Sequence, residues 1–182
     1  MKNVFEELLS IDIKDKYILH LIKNSRVRLE KTKELLDDIL SIGNPKLDKK
    51  NICVNNLVQH AIELAKAPYT KVSGETINII GDKPKTTRAI ANLINNAHKH
   101  SNSSEPVEII LVGKGVKLIK IKNYGSYLTE NQINKMFDPF VSKGSTGLGL
   151  YITRSIVNAH NWKIRCLSSE KENSVSMEII FN

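Results

Sequence analysis

The segment NLINNAHKHS, residues 92–101, decides how the rest of the sequence is interpreted. Its apolar spacing continues a pattern that predicts a helix over residues 85–100. On that helix two amides, an ammonium and an imidazole share one face, and they belong to Asn92, Asn96, Lys99 and His100. A solvated or capping role stays open for any single asparagine. Four polar side chains in one row favour a binding site, because half-buried polar groups need partners.

A second segment, MFDPFVSKGSTGLGLYI at residues 136–152, leads into a helix predicted over residues 148–158. Gly147 and Gly149 stand where this helix begins, and there backbone N–H groups and the helix dipole favour a phosphate. Glycine has no side chain to block close approach of a ligand. Lys143, a few residues upstream, can supply a positive charge to the same anion. By itself this pattern is equally consistent with an ordinary loop-to-helix turn.

A third segment, KNYGSYL at residues 122–128, completes a set whose order and spacing resemble the ATP-binding domain of sensor histidine kinases. The wider superfamily includes gyrase, heat-shock chaperone and mismatch-repair ATPases. NLINNA is similar to the family's N box, FDPF to its F box and TGLGL to its second glycine box, while KNYGSYL is similar to its first glycine box. IKNSRVRLEKTKELLDDIL also resembles the second helix of the family's dimerisation hairpin.

The resemblance implies ATP and Mg²⁺ as cofactors and assigns roles to the N box. Asn96 is expected to coordinate the Mg²⁺ that bridges the phosphates, since amide oxygens suit this hard cation. Asn92, one turn earlier, is expected to face the phosphate end, and Lys99 to neutralise phosphate charge. His100 stands where the family often has an aromatic ring against the adenine, and a neutral imidazole can stack there.

The first glycine box departs from the family pattern. Asn123 stands where the family usually has the Asp that accepts a hydrogen bond from the adenine amino group. An amide oxygen accepts the same bond without the assistance of a full charge, so weaker adenine binding is expected. Gly125 matches the first glycine of the box, and Tyr127 replaces the second.

The F box and the second glycine box are expected to form a short lid over the nucleotide. Phe137 and Phe140 are expected to pack this lid. The residues expected to close on the phosphates are Lys143, Thr146, Gly147, Leu148 and Gly149.

Length and composition exclude several other classes of protein. The chain has 182 residues, 41% of them apolar and 25% charged, as in a soluble globular protein, and no apolar run approaches a membrane span. The net charge of +8 is dispersed and aromatic residues make up only 5%, which argues against a nucleic-acid binder. The acidic N-terminus lacks the apolar core of a signal peptide, and the two cysteines form no disulfide framework, so a cytoplasmic location is expected.

The expected fold class is α+β: a two-layer α/β sandwich with a mixed sheet and helices on one face, preceded by a truncated helical hairpin. We place the hairpin at residues 1–48 and the ATP-binding catalytic domain at residues 49–182. The helix predicted over residues 16–42 has a seam of period 3.5, which indicates a homodimer. An ordinary amphipathic core helix explains the same spacing. Strands are predicted at residues 76–80, 107–112, 116–122, 163–167 and 175–181, and further helices at 55–66 and 130–136.

Two departures bear on function. Members of the superfamily that hydrolyse ATP or phosphorylate serine carry a Glu as general base where this chain has Asn92, which takes no proton at neutral pH. This favours the histidine-kinase branch. The family's acceptor histidine, followed by an acidic residue and then Arg-Thr-Pro, is absent from the sequence, and no other histidine has such neighbours.

Two functional hypotheses therefore remain. The first is the ATP- and Mg²⁺-binding catalytic module of a two-component histidine kinase, acting in trans or as part of a longer kinase. Its partner would be a response regulator or a histidine-containing protein. The second is a catalytically inactive dimeric adaptor, or a phosphotransfer-like protein, with a degenerate kinase fold.

Overall fold

The computed structural model describes residues 18–27, 29, 32, 46–141 and 147–182. The Cα positions group into two compact units, Met1–Ser41 and Ile42–Asn182. In the first unit residues 18–27, 29 and 32 are helical, and the other residues of the predicted 16–42 helix lie outside the described residues. Over the part of the chain that is described, no helix is both long and apolar enough to cross a membrane.

The second unit holds seven strands and four helices within the described residues. The strands are β1 (Lys49–Cys53), β2 (Thr70–Gly74), β3 (Asn78–Asp82), β4 (Val107–Val112), β5 (Leu118–Tyr124), β6 (Lys163–Ser169) and β7 (Ser174–Ile180). The helices are α1 (Val54–Ala65), α2 (Lys83–His100), α3 (Glu130–Lys135) and α4 (Gly149–Ala159).

The main sheet has five strands in the order β2-β4-β5-β7-β6, and β1 and β3 form a separate antiparallel pair. In the main sheet β2 and β4 run parallel, and the other neighbouring strands run antiparallel. The predicted mixed sheet is therefore confirmed.

One face of this sheet forms the core with the helices. Ile109, Ile121 and Met177 are neighbours across three strands, and all three are buried. They belong to one apolar cluster with helix side chains such as Leu93 of α2 and Val157 of α4. Each aliphatic side chain buried in this way contributes about 1.5–3 kcal/mol relative to exposure. The two-layer α+β sandwich predicted from the sequence is confirmed.

A buried histidine joins the beginning of α2 to the end of α4. Asp82 caps α2 by accepting a hydrogen bond from the Lys85 N–H at 3.0 Å. The backbone N–H of the same Asp82 donates to Nε2 of His160 at 2.9 Å. The His160 ring stacks on Trp162 with their centroids 4.1 Å apart. The two helices that carry the N box and the second glycine box are thus fixed to each other at this end.

The structure differs from the sequence-based predictions at the start of this unit. β1 and β2 were not predicted, because their burial patterns have no alternation of buried and exposed side chains. β3 begins at Asn78 and not at residue 76. α1 begins at Val54 and not at residue 55, and Cys53 occupies its capping position. The Asn55 side chain instead donates from Nδ2 to Glu75 O at 3.3 Å and accepts the Ile77 N–H at Oδ1 at 3.1 Å.

Candidate functional site

The polar stripe predicted on α2 lies at the border between the core and solvent. The opposite side of α2 is buried through residues such as Ile90 and Leu93. Asn92 and Asn96 are half-buried, and the last two residues of the helix, Lys99 and His100, are exposed. Partial burial of the ring, followed by the charge of Lys99, lowers the pKa of His100 and so favours a neutral imidazole.

Asn92 connects the N box to the second glycine box. Its amide Nδ2 donates to the carbonyl oxygen of Gly149 at 3.2 Å, across 57 positions of sequence. The buried hydroxyl of Thr153 donates to the same oxygen at 2.8 Å. Two segments that the sequence analysis singled out separately therefore meet at the first turn of α4.

Asn123 connects the first glycine box to the end of α2. The side chain is buried, and its Nδ2 donates to the Ser126 hydroxyl at 3.1 Å and to the carbonyl oxygen of His100 at 3.4 Å. A carbonyl oxygen only accepts, so the atom that faces His100 must be the amide nitrogen. Oδ1 is thereby turned away from the His100 carbonyl.

Gly125 is required by the packing of the chain around it. Its φ is +83°, and a Cβ there would lie 2.4 Å from the carbonyl carbon of Asn102. Its N–H donates to Asn173 O at 2.8 Å. Tyr127, two residues later, has an exposed ring. The first glycine thus serves a close approach of two backbones, and the side chain that replaces the second glycine faces solvent.

The F box phenylalanines differ in their surroundings. Phe137 is buried, with the Arg154 guanidinium carbon 5.6 Å from its ring centroid. Phe140 is 74% exposed and has a φ of +65°. Phe137 therefore packs against the domain, whereas Phe140 is presented at its surface.

Phe140 of the F box and Gly147 of the second glycine box are in direct contact, and the segment between them belongs to the predicted lid. The Phe140 N–H donates to Gly147 O at 3.1 Å. Gly147 has a φ of +67°, and a Cβ there would lie 2.7 Å from the Cα of Phe140. We call this hydrogen-bonded pair of Phe140 and Gly147 the neck. Its close backbone approach requires glycine at position 147. Two predicted site residues between these ends, Lys143 and Thr146, lie outside the described residues.

Gly149 stands in a different environment from Gly147. It is the first residue of α4, after the buried Leu148 at the capping position. The nearest atom to a Cβ built on Gly149 is Cγ of Asn92 at 3.8 Å, an ordinary van der Waals distance. Within the described structure the fold therefore leaves space for a side chain at position 149.

The side chains on α2 that could be metal ligands suit an ion that is also bound by a nucleotide. Among the described residues there is no group of three or more His, Cys, Asp or Glu side chains that could hold a metal. Asn96 offers a single half-buried amide at the predicted position. Mg²⁺ in phosphate sites keeps several waters and takes only one or two protein ligands, so these residues fit a nucleotide-bound cation.

Two residues of this arrangement escaped the sequence analysis. Ser126 orients the Asn123 amide, and Thr153 reinforces the bond that Asn92 makes. Thr153 follows Gly149 by four positions, which is the spacing at which a threonine hydroxyl bonds back to a helix carbonyl. This spacing is the signal in the sequence that could have identified Thr153.

A family profile and several curated proteins match this chain. The profile of the histidine kinase-, DNA gyrase B-, and HSP90-like ATPases matches residues 81–181. The sensor protein kinase WalK of Staphylococcus haemolyticus (strain JCSC1435) is 29% identical over 170 residues, which covers 80% of this chain and 28% of that protein. The chain thus spans less than a third of the length of this relative.

Solved structures share the fold at low sequence identity. The Acinetobacter baumannii histidine kinase AdeS gives a TM-score of 0.73 at 15% identity and covers 99% of this chain and 93% of that chain. Full-length ShkA in complex with AMPPNP gives a TM-score of 0.74 at 15% identity and covers 94% of this chain and 39% of that chain.

Proposed function

The chain belongs to the family of histidine kinase-, DNA gyrase B-, and HSP90-like ATPases, and on this basis we propose that it is the ATP- and Mg²⁺-binding catalytic module of a two-component sensor histidine kinase. The observation that carries the proposal is the surroundings of Gly149. A glycine stands at the first turn of α4 although the fold leaves room for a Cβ there, with the nearest atom 3.8 Å away. A phosphate needs such free space beside Gly149 if it is to approach the backbone N–H groups of this turn closely.

The adenine end of the proposed site is supported by Asn123. The His100 carbonyl and Ser126 hold its amide nitrogen, so its oxygen is the atom left to accept a hydrogen bond from the adenine amino group. Guanine carries a carbonyl oxygen where adenine has its amino group. In a guanine complex this oxygen would face the Asn123 oxygen, and neither atom can donate a hydrogen bond. We therefore propose a preference for adenine nucleotides.

The phosphate end is supported by the N box. We propose that Asn96 gives one amide oxygen to Mg²⁺, with phosphate oxygens and waters completing the shell. Lys99, one helical turn further along α2, adds positive charge on the same side. When bound, ATP supplies the γ-phosphoryl group that a histidine kinase transfers to an imidazole.

The choice of the histidine-kinase branch is supported by the residue at position 92. Asn92 is no proton acceptor at neutral pH, and its amide nitrogen is bonded to Gly149 O. An imidazole nucleophile needs little activation by a base, whereas water and serine need one. We propose that the phosphoryl acceptor is a histidine of a partner chain, or of a longer kinase, and that a response regulator receives the group afterwards.

Several features of the whole kinase remain proposals for this chain. They are homodimerisation through the 16–42 helix, a cytoplasmic location and turnover of ATP, as opposed to binding alone. A catalytically inactive adaptor is the other hypothesis, and the structure holds no specific observation that favours it. The two differ in one measurable property, which is Mg²⁺-dependent nucleotide binding.

Calorimetric titration with Mg²⁺ and ADP or a non-hydrolysable ATP analogue tests the proposal. We expect saturable binding to the wild-type chain, and we expect Asn96→Ala to abolish it. Asn95→Ala is the matched control, because Asn95 is the neighbouring residue on α2 and is exposed. Unchanged affinity in Asn96→Ala would contradict the assignment of the site. No binding to the wild-type chain would favour the adaptor.

A further inference from the structure

The carbonyl oxygen of Gly149 receives two side-chain hydrogen bonds from different helices. Asn92 of α2 reaches it at 3.2 Å and Thr153 of α4 at 2.8 Å. A carbonyl oxygen only accepts, so both side chains act as donors to it. The first turn of α4, which carries the second glycine box, is therefore held from two sides.

The two hydrogen bonds connect different parts of the fold. Thr153 lies four residues after Gly149 in the same helix, so its bond is a local way to satisfy a fully buried hydroxyl. Asn92 lies on another helix, and its bond crosses between the two elements that the proposed function assigns to the Mg²⁺ and phosphate ends. Only the Asn92 bond fixes the position of α4 relative to α2 at this point.

Contacts around Gly149 also show that the Asn92 amide is close to the turn it holds. A Cβ at Gly149 would be in van der Waals contact with the Asn92 amide carbon, at 3.8 Å. The opposite end of α4 is held through His160, whose Nε2 accepts the backbone N–H of Asp82. Asn92 and His160 are thus two fixed points between α4 and the region of α2, one at each end of α4.

We propose that Asn92 is a positioning residue, which acts through the Gly149 carbonyl to set the first turn of α4 for phosphate binding. This inference rests on the proposed function, and it assigns Asn92 a role other than direct contact with the phosphates. Loss of the Asn92 side chain therefore weakens phosphate binding and leaves adenine binding unchanged. The structural consequence is present without any nucleotide.

Nucleotide-free protein provides the first test, because a residue that only touches phosphate would leave that state unchanged. We compare backbone amide exchange and amide chemical shifts of residues 149–153 in the wild-type chain, Asn92→Leu and Asn92→Asp. Leu keeps the approximate size and removes the donor, whereas Asp turns an acceptor towards the Gly149 carbonyl. We expect shifted signals and faster exchange at these residues in both variants, and wild-type behaviour in Asn95→Leu.

Affinity provides the second test. ADP carries the phosphates and adenosine carries only the base and sugar, so their ratio isolates the phosphate end. We expect Asn92→Leu to weaken ADP binding by about fivefold, the factor that corresponds to one lost hydrogen bond, with adenosine affinity unchanged. Thr153→Val, which removes the local bond alone, is expected to have a smaller effect on ADP.

The outcomes separate this inference from the proposed function. Unchanged exchange and shifts at residues 149–153 in both Asn92 variants would overturn the positioning role, even if ADP affinity fell. Equal losses of ADP and adenosine affinity would overturn it too, because the effect would then not be confined to the phosphate end. Absence of any ADP binding by the wild-type chain contradicts the proposed function, and the exchange comparison still tests whether Asn92 holds α4.

Discussion

Two glycines of one motif, separated by a single residue, serve different purposes. Gly147 has a positive φ of +67°, and a Cβ there would lie 2.7 Å from the Cα of Phe140. Gly149 has no such constraint from the described residues, among which a Cβ there meets Asn92 at an ordinary distance. The contact with Phe140 therefore explains the first glycine, and phosphate binding at the second is part of the proposed function.

This contrast predicts opposite results for two alanine substitutions. Gly147→Ala should lower the free energy of unfolding by more than about 1 kcal/mol, because a left-handed conformation is costly for a residue with a Cβ. Gly149→Ala should leave stability at or above the wild-type value, since alanine is the better helix former, yet it should weaken ADP binding. Urea denaturation and calorimetry measure the two effects.

Each variant of that pair serves as the control for the other. A Gly149→Ala protein that bound ADP as the wild type does would contradict the role given to this glycine. A Gly147→Ala protein of wild-type stability would contradict the account of the neck between Phe140 and Gly147.

At the scale of elements, the helices α2 and α4 are held together at one end by a histidine in a single protonation state. Nδ1 of His160 lies 2.7 Å from Ile156 O, which only accepts, so this nitrogen carries the proton. Nε2 must then be the unprotonated nitrogen that accepts the Asp82 N–H. Protonation of Nε2 would make it a second donor that faces the Asp82 N–H in a buried contact.

Burial of the ring is the largest influence on the pKa of His160 and lowers it below the ordinary value of 6.5. The bond to the Ile156 carbonyl opposes this shift, and so does the charge of Asp82, whereas Lys49 and Lys85 add to it. A lowered pKa in the folded state means that the unfolded chain binds the proton first. Stability is therefore complete above about pH 6.5 and falls as the pH decreases through and below that value.

Urea denaturation at about pH 7.5 and about pH 5.5 tests this prediction. We expect the wild-type chain to lose stability at the lower pH, and His160→Gln to lose less between the same two values. His98 and His100, whose pKa values are also lowered by burial, account for the part that remains. His60→Gln is the control, because this side chain is exposed. An identical loss in His160→Gln and the wild type would contradict the role of His160.

At the scale of the whole molecule, the chain holds a family domain, and its histidines lack the sequence neighbours of the family's acceptor motif. The resemblance to the ATP-binding domain of sensor histidine kinases is confirmed by the family profile, which covers residues 81–181. His160 is buried, and Nε2 of His98 lies 2.9 Å from the Thr70 hydroxyl. None of the histidines has the acidic and Thr/Pro neighbours of the family's acceptor motif.

We therefore predict that the chain alone forms no stable phosphohistidine. Purified protein incubated with Mg²⁺ and γ-labelled ATP should show no acid-labile, base-stable label, although it binds the nucleotide. Addition of a chain that carries an acceptor histidine should produce label on that chain only. Stable label on the purified protein by itself would show that one of its own histidines is an acceptor.

The sequence by itself determined the fold class and the motifs, because both rest on local spacing. β5 alternates half-buried and buried residues, and lysines alternate with isoleucines in its sequence, so its period of two is visible there. The polar stripe of α2 follows from the helical period in the same way. A strand such as β2, with no buried side chain, leaves no such period and was missed.

Tertiary structure alone decided how the motifs meet. Asn92 and Gly149 are 57 residues apart, and Asn123 and the carbonyl of His100 are 23 apart, so no local spacing encodes either contact. The sequence offered the same two explanations, a turn or a phosphate, for both glycines of the second glycine box. The structure shows that the surroundings of the two glycines differ, because free space next to a Cα is a property of the atoms packed around it and not of its neighbours along the chain.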